Sequence, residues 1–162
     1  MINIFFNNPQ RVAELQFAAA TWIGTPFMPN AAVKGHGVSC QKLVGAIYKE
    51  SGVIARDFTI PEGPMDWSHA HTDSLISAFM LLQSNFIAVA ADVSPLDARP
   101  GDLLGFKIGG CVNHVGVLIT SEGKFVHCLR GPGVLFSNLK DASYQSRLEK
   151  VWRPLTTAGG AA

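Results

Sequence analysis

The feature that most restricts the fold is a run of short apolar segments separated by tight-turn residues in the second half of the chain. Leu103–Ile108, Val112–Thr120, Phe125–Leu129 and Val134–Ser137 are rich in Val, Ile, Leu and Phe. Gly109-Gly110, with Cys111 at the tip, then Ser121–Lys124 (SEGK) and Arg130–Gly133 (RGPG) stand between them. Such short spacers close antiparallel hairpins, because parallel neighbours need crossovers of a dozen or more residues. This part of the chain must therefore form an antiparallel meander. Val151–Arg153 is a candidate for one further strand, and Phe86–Val93 for another before the meander.

The preceding half carries helical spacing instead. Asn8-Pro9 is a helix start, and Val12, Leu15, Phe17, Ala19 and Trp22 supply an apolar face that ends at Ile23-Gly24. Ser39 is an N-cap for a helix that opens on Cys40, carries Leu43, Val44 and Ile47 on one stripe, and stops at Gly52. Ser74–Gln83 places Leu75, Ile76, Phe79 and Leu82 on one face. Phe27–Val38 and Val53–His71 read as loops. Helices first and strands second predict an α+β fold, with N-terminal helices packed on a C-terminal antiparallel sheet. The length of 162 residues fits one domain, expected over 1–155 with a flexible tail at 156–162.

Charge and cysteine content remove several function classes. A formal charge of +1 gives no electrostatic basis for nucleic-acid binding. No stretch is long and apolar enough to predict a membrane span. The start MINIFFNNPQ has no basic leader, which predicts a protein made in the cytoplasm without a signal peptide. The three cysteines, Cys40, Cys111 and Cys128, form no CxxC pair. They predict neither a disulfide framework nor a metal site, and no cofactor is expected.

The remaining chemistry converges on three residues. Cys40 opens a helix, where free backbone N–H groups and the helix dipole favour a thiolate. Alone, such a cysteine reads first as a small buried hydrophobe. Two histidines change the balance. His114 interrupts the most apolar strand, NHVGVLIT, sharing a face with Gly116 and Leu118. His127 lies on the next strand, FVHCL. A hairpin closed by SEGK would place His127 opposite Leu118 and His114 opposite residue 131, with both histidines on one face and offset by about 10 Å at the usual strand rise. A thiol nucleophile, an imidazole base and a second polar group that holds the base in its working tautomer form a set for acyl transfer. Cys40, His114 and His127 fill those roles. Cys128 points to the opposite face and reads as core. Asp102 reads as a turn-stabilising carboxylate and Trp67 as a cleft wall. His36, His69 and His71 read as solvated loop residues.

GTPF (Gly24–Phe27), Gly37-x-x-Cys40, RPGDLLGF (Arg99–Phe106), NHVGVLI (Asn113–Ile119) and GKFVHC (Gly123–Cys128) occur in the order found in the NlpC-like cell-wall cysteine peptidases of the papain-like superfamily. The chain resembles that family from about Val12 to Val134. The resemblance implies a papain-like fold and catalytic roles for Cys40, His114 and His127. It also implies hydrolysis of an amide in peptidoglycan stem peptides, of the γ-D-glutamyl-diamino acid type. Phe27, Ser39 and Gln41 stand where family members commonly carry Tyr, Asp and Ser that grip substrate, which puts the substrate contacts at these three positions. DWSHAHTDSLISAF (Asp66–Phe79), the ARPGDLL run and the ending RLEKVWRPL (Arg147–Leu155) resemble the phage-type branch. That implies phage-tail proteins as partners and access to the cell wall through a phage particle or lysis. Two alternatives stand beside it: a phage-particle structural component with this fold, and a thiol amidase or acyltransferase on another substrate.

Overall fold

The computed structural model describes residues 3–89 and 97–156. Helix α1 spans Pro9–Trp22. Asn8 caps it by accepting from the Arg11 N–H at 3.0 Å, and Pro9 fills a first-turn position where a missing N–H costs nothing. Its buried residues are Leu15, Ala18, Ala19 and Trp22, the i, i+3, i+4, i+7 set. Phe17 falls off that stripe and is 75 % exposed, which corrects its place on the expected apolar face.

The stretch expected as loop before Cys40 contains a small hairpin, β1 (Ala32–Val33) with β2 (Gly37–Val38). Helix α2 follows over Cys40–Glu50. It ends at Ser51, and Gly52 takes φ 78, a conformation that favours glycine. The second expected loop contains one turn of helix, α3 (Trp67–Ala70). Helix α4 covers Leu75–Leu81, capped by Ser74 through the Ser77 N–H at 3.0 Å. Ile76 and Met80 form its buried contact, whereas Leu82 is 81 % exposed and Leu75 40 %, so the face lies one residue round from the expected one.

Strands β3 (Phe86–Ala88), β4 (Leu103–Ile108), β5 (Cys111–Leu118), β6 (Lys124–Leu129), β7 (Gly133–Asn138) and β8 (Leu148–Pro154) form one antiparallel sheet. Its order is β3-β8-β4-β5-β6-β7. A single-turn helix, α5 (Ala142–Gln145), links β7 to β8. Strand β8 is longer than expected and enters the sheet between β3 and β4. Cys111 is the first residue of β5 and is buried, not at the turn's tip. The end of the expected strand beyond Val89 lies outside the described residues, as does the expected tail from 157 on. Thr156 itself is tied down, its N–H donating to the Asn3 carbonyl at 2.8 Å.

The sheet separates two apolar layers. Val115, Val117, Ile119, Val126 and Cys128 face α1 and α2. Leu104, Phe106, Leu118, Phe125 and Val151 face the other way, under Tyr144 and Leu148. Two bonds tie the α2 segment to the sheet half of the chain, one from within the helix and one at β2 just before it. Tyr48 donates its hydroxyl to the Gly101 carbonyl at 2.8 Å, and the Cys128 thiol donates to the Val38 carbonyl at 3.3 Å. Gly101 takes φ 93 with the Phe6 ring against its α-carbon, a site that leaves no space for a side chain. The adjacent Asp102 accepts Arg153 Nε at 2.9 Å, Arg153 Nη2 at 2.7 Å and the Arg99 N–H at 2.8 Å. It is therefore a buried ion-pair clamp between the start of β4 and β8, more than a turn residue.

The candidate active site

The register of the β5–β6 hairpin decides where the histidines meet. Gly116 pairs with His127, Val117 with Val126 and Leu118 with Phe125. The expected partner of His127 was Leu118, two residues along. The turn closes one residue earlier at each end than SEGK suggested: the Thr120 hydroxyl accepts the Lys124 N–H at 3.3 Å, and Gly123 takes φ 101. Moving the closure by one on each strand moves the cross-strand partner by two. His127 now sits over Gly116, where a β-carbon would lie 3.3 Å from the His127 β-carbon and 2.8 Å from the Val126 carbonyl. The vacant space over Gly116 lets the imidazole lean toward the preceding residue pair. His114 Nε2 and His127 Nδ1 are 2.9 Å apart.

The chain of contacts continues beyond the two histidines. His127 Nε2 lies 2.8 Å from Ser137 Oγ on β7, and Ser137 donates to the Tyr144 hydroxyl at 3.3 Å. Neither Ser137 nor Tyr144 was marked by sequence. Ser137 faces His127 because Phe125 pairs with Ser137 and His127 with Leu135, but the strand pairing had to be known first. Phe106, Phe125 and Tyr144 surround the pair, with the Phe125 and Tyr144 ring centroids 4.7 and 5.4 Å from that of His127. This aromatic wall excludes water, and His127 is 0 % exposed.

The geometry dictates the tautomers. For His114 Nδ1 to accept a proton, Nε2 must carry one and donate to His127 Nδ1. His127 then carries its proton on Nε2 and donates to Ser137. Burial, with the neighbouring His127, pushes the His114 pKa down to about 3; burial alone pushes His127 down to about 4. Both rings are neutral at pH 7.

Cys40 lies on the other side of a split in the sheet. Strand β5 pairs with β4 from Cys111 to Val117 but with β6 only over Gly116–Leu118. Strand β6 goes on to Leu129 paired with β7 alone. Helix α2 packs against both β5 and β6. The Val115 N–H, one residue from His114, bears on the Cys40 thiol from one side. Cys128 lies on the other side, close enough to be influenced by Cys40. Helix α2 thus reaches from its own layer to the strand that carries His114.

Within the first turn of α2, Ser39 is buried and its hydroxyl accepts the Lys42 N–H at 3.3 Å, while its carbonyl accepts the Leu43 N–H at 2.9 Å. The Cys40 and Gln41 amides have no intrahelical acceptor and lie beside the sulfur. They act on the thiol in the direction of the thiolate, as does Val115. Burial nevertheless outweighs them and pushes the Cys40 pKa up to about 11. The expected thiolate bias of the helix start is therefore overridden, and the resting site holds a neutral thiol.

The other expected contacts are distributed around this centre. Gln41 is half-buried and lines a cavity next to Cys40. Phe27 is half-buried, bridges to Val38 just before the cap, and lies with its centroid 5.9 Å below the Arg130 guanidinium. Trp67 does not line that cavity; it stacks on His71 at 3.6 Å. His36, His69 and His71 are exposed. Among the described residues no three His, Cys, Asp or Glu side chains are grouped as a metal site, and no helix is long and apolar enough to cross a membrane.

The model of the NlpC/P60 family matches residues 32–153. A gamma-DL-glutamyl hydrolase from Bacillus subtilis is 27 % identical over 109 residues, which cover 65 % of this chain and 26 % of the relative. Solved structures share the fold at lower identity. The NlpC/p60 domain of the peptidoglycan hydrolase SagA superposes with a TM-score of 0.54 at 17 % identity, over 90 % of this chain and 98 % of that one. An NlpC/P60 family protein from Bacillus cereus gives 0.60 at 23 %, over 90 % and 40 %. A lipoprotein-like NLP/P60 family protein from Staphylococcus aureus gives 0.58 at 19 %, over 93 % and 43 %. The chain therefore spans about a quarter of the length of the curated relative and less than half of the two larger structures.

Proposed function

The chain belongs to the NlpC/P60 family, and from that premise we infer that it is a papain-like cysteine peptidase hydrolysing an amide bond in the peptide stem of peptidoglycan, on the carboxyl side of a γ-linked glutamyl residue. The similarity to a gamma-DL-glutamyl hydrolase supports the bond type, and that to a domain of the peptidoglycan hydrolase SagA the substrate class. The observation that carries the chemistry is the buried, directional chain His114–His127–Ser137 beside Cys40.

Cys40 is the nucleophile and His114 the base. As the sulfur attacks the carbonyl carbon, its proton passes to His114 Nδ1, so no free thiolate has to exist in the resting site. The imidazolium that forms shares its charge through Nε2–H with His127, which in turn leans on Ser137. The carbonyl oxygen gains charge between the Cys40 and Gln41 amides, the two first-turn donors that Ser39 leaves free. His114 returns the proton to the leaving nitrogen, the C–N bond breaks, and a thioester remains on Cys40. Water, deprotonated by His114, then releases the acid and restores the thiol. Ser39 positions these amides, while Gln41 and Phe27 flank the substrate on either side of Cys40.

Digestion of purified peptidoglycan, with the released peptides weighed by mass spectrometry, tests this. Wild-type protein is expected to expose new glutamyl carboxyl ends and new diamino-acid amino ends, and Cys40→Ala none. Full activity in Cys40→Ala would falsify the mechanism. Delivery by a phage particle rests only on the resemblance of the Asp66–Phe79 and Arg147–Leu155 segments to the phage-type branch, and mass spectrometry of purified particles from producing cells tests it.

A further inference from the structure

The hydrogen-bonded chain that starts at His114 ends on Tyr144, and the last group of such a chain decides the direction of every link in it. His114, His127 and Ser137 lie on β5, β6 and β7, whereas Tyr144 comes from α5, the single turn between β7 and β8. The terminal link is the longest, 3.3 Å from Ser137 Oγ to the Tyr144 hydroxyl, against 2.8 Å from Ser137 to His127 and 2.9 Å between the imidazoles. Packing holds Tyr144 there. It is the only residue of α5 that is not exposed. Its ring meets Phe106, Phe125 and His127 edge-on, at interplanar angles of 65°, 84° and 84°.

Two proton arrangements satisfy the same four groups. In the first, His114 Nε2 donates to His127, His127 Nε2 donates to Ser137, and Ser137 donates to Tyr144. In the second every link is reversed: Tyr144 donates to Ser137, Ser137 to His127 Nε2, and His127 Nδ1 to His114 Nε2. Only the first leaves His114 Nδ1 bare to take the Cys40 proton; in the second that nitrogen already carries a hydrogen. The choice falls to the Ser137 hydrogen. Among the described residues the Ser137 hydroxyl has two partners, His127 Nε2 and the Tyr144 oxygen. While Tyr144 accepts that hydrogen, Ser137 turns a lone pair toward His127 and the chain runs away from Cys40. Half-buried Tyr144 has solvent to take its own hydrogen. Without the phenol oxygen, the imidazole nitrogen is the acceptor that remains, and a hydroxyl hydrogen left unbonded is costly. The chain then reverses. We propose that Tyr144 is a positioning residue whose hydroxyl, by accepting from Ser137, sets the direction of the His114–His127–Ser137 chain and keeps His114 Nδ1 free of a proton. This rests on the reading of Cys40 as nucleophile and His114 as base.

Tyr144→Phe keeps the ring and removes only the acceptor. Long-range 1H–15N correlation NMR at pH 7, where both rings are neutral, reads which nitrogen carries the hydrogen. Wild type is expected to show Nε2–H on His114 and His127, and Tyr144→Phe mainly Nδ1–H on both. With a stem-peptide substrate, kcat follows the fraction of molecules in the working tautomer, so it is expected to fall about tenfold or more with KM unchanged. In a Ser137→Ala background the hydrogen that would turn is gone, and Tyr144→Phe is expected to change neither the tautomers nor kcat further. Nδ1–H in the wild type overturns the proposal whatever the variant does. Unchanged Nε2–H in Tyr144→Phe overturns it too, and a lower melting temperature with that result makes Tyr144 a packing residue only. A further tenfold loss on top of Ser137→Ala also overturns it. If the tautomers swap while wild type cuts no stem peptide, the peptidase reading fails and the role of Tyr144 stands. If stem peptide is cut and no swap occurs, the role of Tyr144 falls and the reading stands.

Discussion

The histidine side of the cleft and the loop side differ in how their residues are held. His114, His127 and Ser137 sit on three adjacent antiparallel strands, with cross-strand bonds fixing their relative positions and aromatic rings closing over them. Gln41 and Glu62 face a cavity whose other wall is the irregular 54–63 segment, fastened to α2 mainly by Lys42 and by Ile60 on Gly45. The first region is rigid and commits to one reaction. The second is a mostly apolar cavity with one wall made by a loop, beside the candidate nucleophile. Catalytic geometry and specificity are thereby mechanically separate, and each can be disturbed without the other.

Acid is expected to disturb the histidine side most. Both imidazoles have folded-state pKa values below the ordinary 6.5, at about 3 and about 4. The unfolded chain therefore takes up protons first. Stability is complete above pH 6.5 and is lost as pH falls toward 4, by about 1.4 kcal/mol per pH unit for each histidine. Asp102, raised by burial, works in the opposite sense at the acid end. Urea midpoints at pH 7 and pH 5 check the fall, and His127→Asn should flatten it. Burial of Cys40 predicts a related outcome: iodoacetamide alkylation should keep rising with pH through 9, towards the thiol pKa of about 11. A plateau below pH 7 would show a resting ion pair instead.

Ser137→Ala is the next largest disturbance. It removes the acceptor that holds His127 in its tautomer, so kcat is expected to drop about 10- to 100-fold with KM unchanged. Ser137→Thr should restore most of it. A purely structural role for Ser137 predicts a lower melting temperature with kcat intact.

The smallest effect on stability, and the sharpest on the loop side alone, is expected from Gly45→Ala. The new methyl would meet Ile60 and push the loop from α2, at about 1–3 kcal/mol, while helix propensity returns about 1 kcal/mol. The melting temperature should shift little and KM should rise, with Cys40 alkylation unchanged. A fall in kcat at constant KM would contradict the separation of the two regions.

The contrast also explains what the sequence disclosed. The meander was legible because its turns are local: Gly109-Gly110 and RGPG mark strand ends from within a few residues. The shared face of His114 and His127 followed from alternation together with a hairpin closed near SEGK, because the observed register differs from the expected one by two residues and keeps the same parity. Their partner positions did not, because Thr120 and Gly123 close the turn in a way that polar composition does not distinguish from Ser121–Lys124. Ser137 and Tyr144 were invisible for the same reason, since they reach His127 only through the β6–β7 register. Cys40 was found by its place before a helical stripe, but its proton affinity was misread. Dipole and amides are visible in a helix start, whereas the burial that outweighs them comes from β5 and β6, distant in sequence.

The split between β5 and β6 has a consequence for how activity arises during folding. The hairpin that carries both histidines can form from neighbouring residues, but α2 packs against it only on arriving from the far end of the sequence. Tyr48 on Gly101 and Cys128 on Val38 complete that arrival. A chain in which α2 has not docked thus holds Cys40 and His114 on separate pieces. The candidate site is therefore a product of tertiary docking, not of either half of the chain alone.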